Sequence, residues 1–262
     1  MLLRKKASSV LQTSPITVYW APITGALTQH GEWSLLFSNP KQLLATLVEN
    51  ARQPISPESM FLCPAFKSKA RNVHVFNFPI SCSYKYDFTE TASSSLGDVY
   101  PIDNTKPFLS AFTQKGSSLD DTGYIHFPLN YLFFSEESLL ATFTPPYYGK
   151  AKYTQTASMP IGTFDIGQWF RPLPAELTVW DKKGTLTFEE DEPFFYVEFL
   201  TNRPVVLKRV KPTPTLLSYA TMSANSGAYI WRNMPLVKRY KKFKETSMRS
   251  LILKEIEGNV LE

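Results

Sequence analysis

Three side chains able to do chemistry fall close together in IGTFDIGQWFRPLPAELTVW, residues 161–180. Asp165 can accept hydrogen bonds or hold a cation. Trp169 can stack, and Arg171 can grip an anion. Gly167 lets the chain bend between them, and Pro172 pushes Arg171 toward extended backbone. Two arrangements follow. In one, Arg171 pairs with Asp165 or Glu176 and pins a corner between strands, beneath Trp169 and Phe170. In the other, Trp169 and Arg171 face a cleft and hold a partner by stacking and by charge. Trp180 closes the stretch and is expected to be buried over a sheet end, where truncation would cost about 3–5 kcal/mol.

Histidine supply restricts the enzymatic readings. The chain has three, His30, His74 and His126. An iron site on a double-stranded β-helix takes two His and a carboxylate, usually opening with His-x-Asp or His-x-Glu on a strand. His74 is followed by Val75 and Phe76, and His126 by Phe127 and Pro128, so neither opens that motif. Asp165 would have to complete a His74–His126 set from elsewhere, and a cupin-like, iron-dependent oxygenase stands as an alternative on those terms. There is no Gly-x-Ser-x-Gly elbow and no Gly-rich phosphate loop. The acidic run EEDE at 189–192 sits beside a turn and is expected to be solvated. The two cysteines, Cys63 and Cys82, lack metal-ligand spacing and are expected as free thiols of a cytosolic protein.

A second constellation is basic. Lys238, Arg239, Lys241, Lys242 and Lys244 surround Tyr240 and Phe243 in KRYKKFK. The net charge is +5, yet residues 201–262 carry 12 Lys and Arg against 4 Asp and Glu. Basicity is therefore a C-terminal property. Such a helix either buries its two aromatics and solvates its cations, or docks on something acidic. Nucleic acid, an acidic host protein and a neighbouring subunit all fit that description.

The elements that must position these residues read mostly as strands. With 19 Phe, 13 Tyr and 20 Pro against 11 Gly, the composition favours short strands joined by Pro-set turns. Strands are expected in 15–24, in a short piece of 30–51 ahead of its helix, in FLCPAF (61–66) and in NVHVFNFPI (72–80). In the last of these, Val73 and Val75 face one way, and His74, Phe76 and Phe78 the other. A helix is expected from Pro40, capped by Asn39. Residues 89–98 and 115–123 read as loops, and 124–149 as two strands broken at Ser135-Glu136-Glu137. ELTVW and TLTFEE flank DKKG as a hairpin, with Gly184 supplying positive φ. PFFYVEFL and PVVLKRV continue the strand series, and 235–258 reads as one helix between Pro235 and Gly258. The basic N-terminus has no apolar core behind it and is not expected to be a signal peptide. No apolar run approaches the ~20 residues of a membrane helix.

The blocks SPITVYWAP, GEWSLLF, FLCPAF and GTFDIGQWFRPLPAELTVWDKKGTLTFEEDEPFFYVEFLTNRPVVLKRV resemble an uncharacterised family of large tailed phages of marine bacteria, cyanophages above all. Residues 123–210 also resemble a broader domain of unknown function. The resemblance spans about 15–210. It implies a phage origin, with the host cytoplasm or the virion as location, and carries no activity with it.

The combined expectation is an all-β sandwich of the jelly-roll or double-stranded β-helix kind over 1–210. A few peripheral helices accompany it, and a C-terminal extension, 211–262, bears the basic helix. The expected role is non-enzymatic: a virion or assembly component, or an accessory factor that binds a protein partner or itself. Nucleic-acid binding through the basic helix is a further alternative. Asp165, Trp169, Arg171 and the five basic-helix cations are the candidate contacts. No cofactor is expected on the first reading, and iron on the oxygenase alternative.

Overall fold

The structure is a computed structural model that describes residues 14–24, 36–51, 56, 58–89, 94–102, 109–115, 123–149, 151–224 and 235–261. Its strands are β1 (Ile16–Thr24), β2 (Lys41–Gln42), β3 (Val73–Asn77), β4 (Cys82–Asp87), β5 (Ser94–Pro101), β6 (Leu109–Lys115), β7 (Gly123–Ser135), β8 (Leu140–Thr144), β9 (Ala157–Ser158), β10 (Gly162–Asp165), β11 (Leu173–Val179), β12 (Lys183–Phe188), β13 (Pro193–Phe199) and β14 (Val205–Arg209). The helices are α1 (Leu43–Glu49), α2 (Pro64–Ala70), α3 (Pro214–Ala224), α4 (Leu236–Glu245) and α5 (Met248–Glu257).

Two sheets form. The larger runs β12-β4-β5-β6-β7-β1-β14, with β11 and β9 joined to it at β7. The smaller runs β10-β8-β13-β3-β2. Strand β7 organises the larger sheet because it is 13 residues long. Its first residues pair with β6 and its last with β1, while β11 pairs along 123–131. The overlap with both partners places β11 on the opposite edge of β7 from β6 and β1. The pair β1–β14 is parallel.

Period-two alternation then sorts the side chains into layers. Trp20, Phe76, Tyr131, Phe133, Phe143 and Phe195 fill the space between the sheets. Tyr19, Ala21, Leu132 and Phe134, on the other face of β1 and β7, are covered by Leu216 and Ala220 of α3, Phe243 of α4, and Ile252 and Ile256 of α5. Val73, Val75 and Tyr196, on the outer face of the small sheet, are covered by Leu43 of α1 and by Phe66 and Ala70 of α2. The order is helices, sheet, sheet, helices. This is the expected β-sandwich with peripheral helices, and Val73/Val75 and His74/Phe76 divide between its faces as the alternation requires.

Several local expectations fail for identifiable reasons. FLCPAF is a 3-10 turn, Met60–Leu62, followed by α2. The Ser59 hydroxyl accepts the Phe61 N–H at 3.3 Å, and Pro64 opens the helix. The helix expected from Pro40 starts later, at Leu43, because Lys41 and Gln42 pair with β3. Part of the Ser-rich loop expected over 89–98 is strand: Ser94–Val99 pair with β6 in register. Here a partner strand overrides weak local propensity. The DKKG hairpin does not form, since β11 pairs with β7 and β9 while β12 pairs with β4. Residues 180–182 are instead a short connection between two strands that each pair elsewhere. Gly184 does not adopt positive φ. It lies within β12, where a Cβ would collide with the Tyr86 hydroxyl. The single helix expected over 235–258 is two, broken at Thr246-Ser247. Thr246 is extended and its hydroxyl donates to the Phe243 carbonyl at 3.0 Å. That break lets α4 and α5 both reach the same outer core. The short strand expected ahead of the helix in 30–51 falls mostly outside the described residues, and His30 lies outside them.

Trp180 is also displaced from its expected role. It is 49% exposed, just beyond the end of β11. Trp180→Ala should therefore change the unfolding free energy by less than about 1 kcal/mol. A loss of 3 kcal/mol or more in a urea titration would put the ring back in the core.

Candidate functional site

The stretch 161–180 wraps a cleft. After β9 the chain leaves the larger sheet, crosses through 159–161, and forms β10 at the edge of the smaller sheet. It returns through 166–172 into β11. Between the two crossings lies a cavity of about 240 Å³. Tyr131 comes to it from the larger sheet, Phe143 and Phe195 from the smaller, and Met159, Phe164 and Leu173 from the wrapping segment. Arg171 and Glu176 are its charged lining residues.

The return crossing is anchored on both sides. Ile166 belongs to the core between the sheets, and its N–H donates to the Leu139 carbonyl at 2.9 Å. Phe170 belongs to the outer core and meets Phe134 edge-on at 5.4 Å. The Arg249 guanidinium of α5 donates to the Gly167 carbonyl at 3.2 Å. The C-terminal helices thus help to hold the rim of the cleft. Gly167 is required by close approach, because a Cβ there would strike the Glu137 carbonyl.

Asp165 is a corner residue and not a cleft residue. Its carboxylate accepts the Leu139 N–H at 3.2 Å, the Gly167 N–H at 3.0 Å and the Ser138 hydroxyl. Gln168 donates to the same Ser138 hydroxyl at 3.0 Å. Arg171 instead lies over the Trp169 ring, 4.6 Å from its centroid, and Trp169 meets Phe164 edge-on at 5.5 Å. The Asp165 carboxylate is thus engaged by the backbone and Ser138 at its corner, while the Arg171 guanidinium rests on Trp169. Asp165→Asn should cost about 1–3 kcal/mol through its backbone partners. Combined with Arg171→Gln, the two losses should add within about 0.5 kcal/mol. Coupling above 1 kcal/mol in the double-mutant cycle would restore the pair.

Glu176 is the acid that Arg171 does feel. Its carboxyl is held below the usual carboxylate range, first by the hydrogen bond with His126 and also by the charge of Arg171. The His126 Nδ1 lies 3.5 Å from the Glu176 carboxylate. Tyr131, by contrast, is buried, and its hydroxyl has no hydrogen-bonding partner among the described residues. Burial pushes its pKa well up, so it stays a neutral donor.

The other sequence-derived candidates lie apart. His74 shares the inward face of β3 with Phe76, and meets Phe199 edge-on at 5.6 Å. Burial holds its pKa down to about 4. His126 points to the opposite face of β7 from Ile125 and Phe127, so the larger sheet separates the two histidines. Asp165 is engaged at its corner. The weak His74–His126–Asp165 metal set does not assemble, and no group of three His, Cys, Asp or Glu among the described residues is placed to hold a metal. Cys63 and Cys82 are free thiols, one exposed and one buried. The acidic run forms a turn in which Glu189 pairs with Lys152. On α4, Lys238, Lys241, Lys242 and Lys244 are exposed, Arg239 is half-buried, and Phe243 is in the outer core. None of these cations lines the cleft. Sequence reasoning missed Tyr131, Phe143 and Phe195, which carry no local signal beyond being aromatic residues in strands.

Among the described residues no helix is long and apolar enough to cross a membrane. Compared with protein-family models, with curated proteins and with solved structures, the chain matches none, so the phage resemblance stands on its sequence blocks alone.

Proposed function

We propose that this is a non-enzymatic binding protein whose inter-sheet cleft takes an apolar group. One observation carries the reading: the wall of this apolar cavity contains Tyr131, a buried tyrosine whose hydroxyl has no partner among the described residues. An unmet buried hydroxyl costs about 1–3 kcal/mol, and native interiors seldom keep one without a reason. A ligand bearing an acceptor supplies that reason. Among the described residues the cavity lining contains no Ser, Cys, Lys or His to act as nucleophile or proton carrier. Glu176, its acid, leans on His126 of the neighbouring strand. These features favour holding a ligand over transforming one. The role is that of a partner-binding accessory factor.

At interior packing density a cavity of about 240 Å³ accepts roughly ten non-hydrogen atoms. Octan-1-ol is a probe of that size. Titrated into methyl-labelled protein, it should shift the Met159, Ile161 and Leu173 methyl resonances saturably and leave Leu186, which does not line the cavity, unmoved. No saturable shift at those three residues would remove the reading.

A further inference from the structure

We infer that the outer edge of β14 docks an extended, acidic segment of a protein partner, which joins the larger sheet as an added antiparallel strand. The inference is independent of the cleft. Strand β14 ends the larger sheet beside β1. In that parallel pair the Ile16 N–H donates to the Pro204 carbonyl at 2.8 Å, and the Val210 N–H donates to the Trp20 carbonyl at 2.9 Å. Backbone groups alternate between the two edges of a strand. Those of Val206 and Lys208 therefore face β1, and those of Val205, Leu207 and Arg209 face away from it.

This outward edge already accepts a strand at one end. The Lys211 N–H donates to the Asn259 carbonyl at 2.9 Å, and the Leu261 N–H donates to the Arg209 carbonyl at 2.7 Å. Val210 stands opposite Val260 between them, in antiparallel register. Among the described residues nothing continues that pairing past Leu261, and no hydrogen bond reaches the outward N–H and C=O of Leu207 or Val205. Unmet backbone groups in a row are a template for one more strand.

A pocket lies where the side chains of that strand would go. It is a cavity of about 350 Å³, lined by Leu207 and Arg209 of β14, by Trp20 of β1, by Asn39 and Pro40, and by Leu261. The Arg209 guanidinium donates to the Phe37 carbonyl at 2.7 Å and lies over the Trp20 ring at 5.2 Å, so it serves here as a wall. Leu207 and Val205 pack against the core between the sheets. Residues paired directly opposite them place their side chains on the same face, where an aromatic or aliphatic group fits.

Charge selects the occupant. Val206 and Lys208 turn their side chains the other way and are exposed. Neither Lys208 nor the exposed Lys211 forms an ion pair among the described residues. A lysine on an edge strand guards against pairing with a second copy, since each edge brings its own cations. The same charge attracts a strand with an acid opposite Lys208. Read from its N-terminus, the partner segment is an acid, an aromatic residue, any residue, then an aliphatic one.

The test is an NMR titration of the full chain with the peptide acetyl-Glu-Phe-Thr-Val-Thr-amide. Without peptide, the Val205 and Leu207 amides should exchange quickly with solvent, and those of Val206 and Lys208 slowly. Peptide should shift the Val205 and Leu207 amides saturably and slow their exchange. Methylating the Phe or the Val nitrogen of the peptide removes a donor to β14 and should weaken binding about tenfold. Methylating the Thr nitrogen between them, which faces away, should leave affinity unchanged. Lys208→Glu alters an exposed side chain and should reverse the preference between this peptide and its acetyl-Lys counterpart. No saturable shift at Val205 and Leu207, or equal loss from all three methylations, overturns the added strand. A charge preference indifferent to Lys208→Glu overturns the acidic partner. Slow exchange at Val205 and Leu207 without peptide also overturns the inference. A dimer in sedimentation equilibrium would then make a second copy the occupant, and a monomer would mean that the chain covers its own edge.

Discussion

Phe195→Ala should lower the unfolding free energy by about 3–5 kcal/mol. The ring is 1% exposed and stacks on Phe76 at 4.9 Å, nearly parallel. It meets Tyr131 edge-on at 4.9 Å and Phe143 at 5.8 Å. It is thus the point where the small sheet presses on the large one. Strand β13 is central in its sheet, between β8 and β3, so its backbone is held on both edges and has little freedom to sink into the void. Poor collapse places the loss in the upper part of the range. The same ring walls the cleft, and its removal should lengthen the cavity. Decan-1-ol should therefore gain on octan-1-ol in the variant. A urea titration at 25 °C reads the first effect, with Phe195→Leu as a milder comparison. A loss under 1.5 kcal/mol would mean that the sheets close over the site and that Phe195 does not support the wall.

The cleft was half legible from sequence. Eight of its 13 lining residues, among them Arg171 and Glu176, fall within 161–180, where the spacing of charge and aromatics marked them. The opposite wall was not legible, because Tyr131, Phe143 and Phe195 meet only when the two sheets stack, and nothing local encodes that. Alternation read the facing of β3 correctly, since a buried sheet enforces period two. It could not name strand partners. ELTVW and TLTFEE look like a hairpin because short connections usually join neighbours. Here β7 had already offered β11 an edge, and β4 offered one to β12. Asp165 and Trp180 were misplaced for a related reason. A carboxylate beside a glycine serves a turn as readily as an ion pair. A Trp at a strand end is covered only if some layer lies over it, and the helices lie elsewhere.

The expectation that reaches deepest into the fold concerns acid. His74 is 7% exposed, and its Nδ1 has no hydrogen-bonding partner among the described residues. Burial lowers its pKa from 6.5 to about 4, with a smaller opposing contribution from hydrogen bonding to the Asn72 backbone. The unfolded chain exposes this imidazole and protonates it near 6.5. Above that pH both states hold it neutral, and it contributes no pH dependence. As pH falls from 6.5 toward 4, the unfolded state binds the proton and the native state does not, so stability drops. Below about 4 the native state binds it too, and the loss levels off. A gap of this size corresponds to about 3 kcal/mol. Asp87 is also acid-sensitive, but its carboxyl is lowered to about 2 from an ordinary value near 3.8, so it acts mainly below this window. The comparison that isolates the histidine is wild type against His74→Gln, each unfolded with urea at half-unit steps from pH 7.5 to 4. The wild type should lose about 3 kcal/mol relative to the variant across that span, nearly all of it below pH 6.5. Curves that stay parallel would show that His74 protonates in place, which requires water or an acceptor to reach the space between Phe199 and the larger sheet.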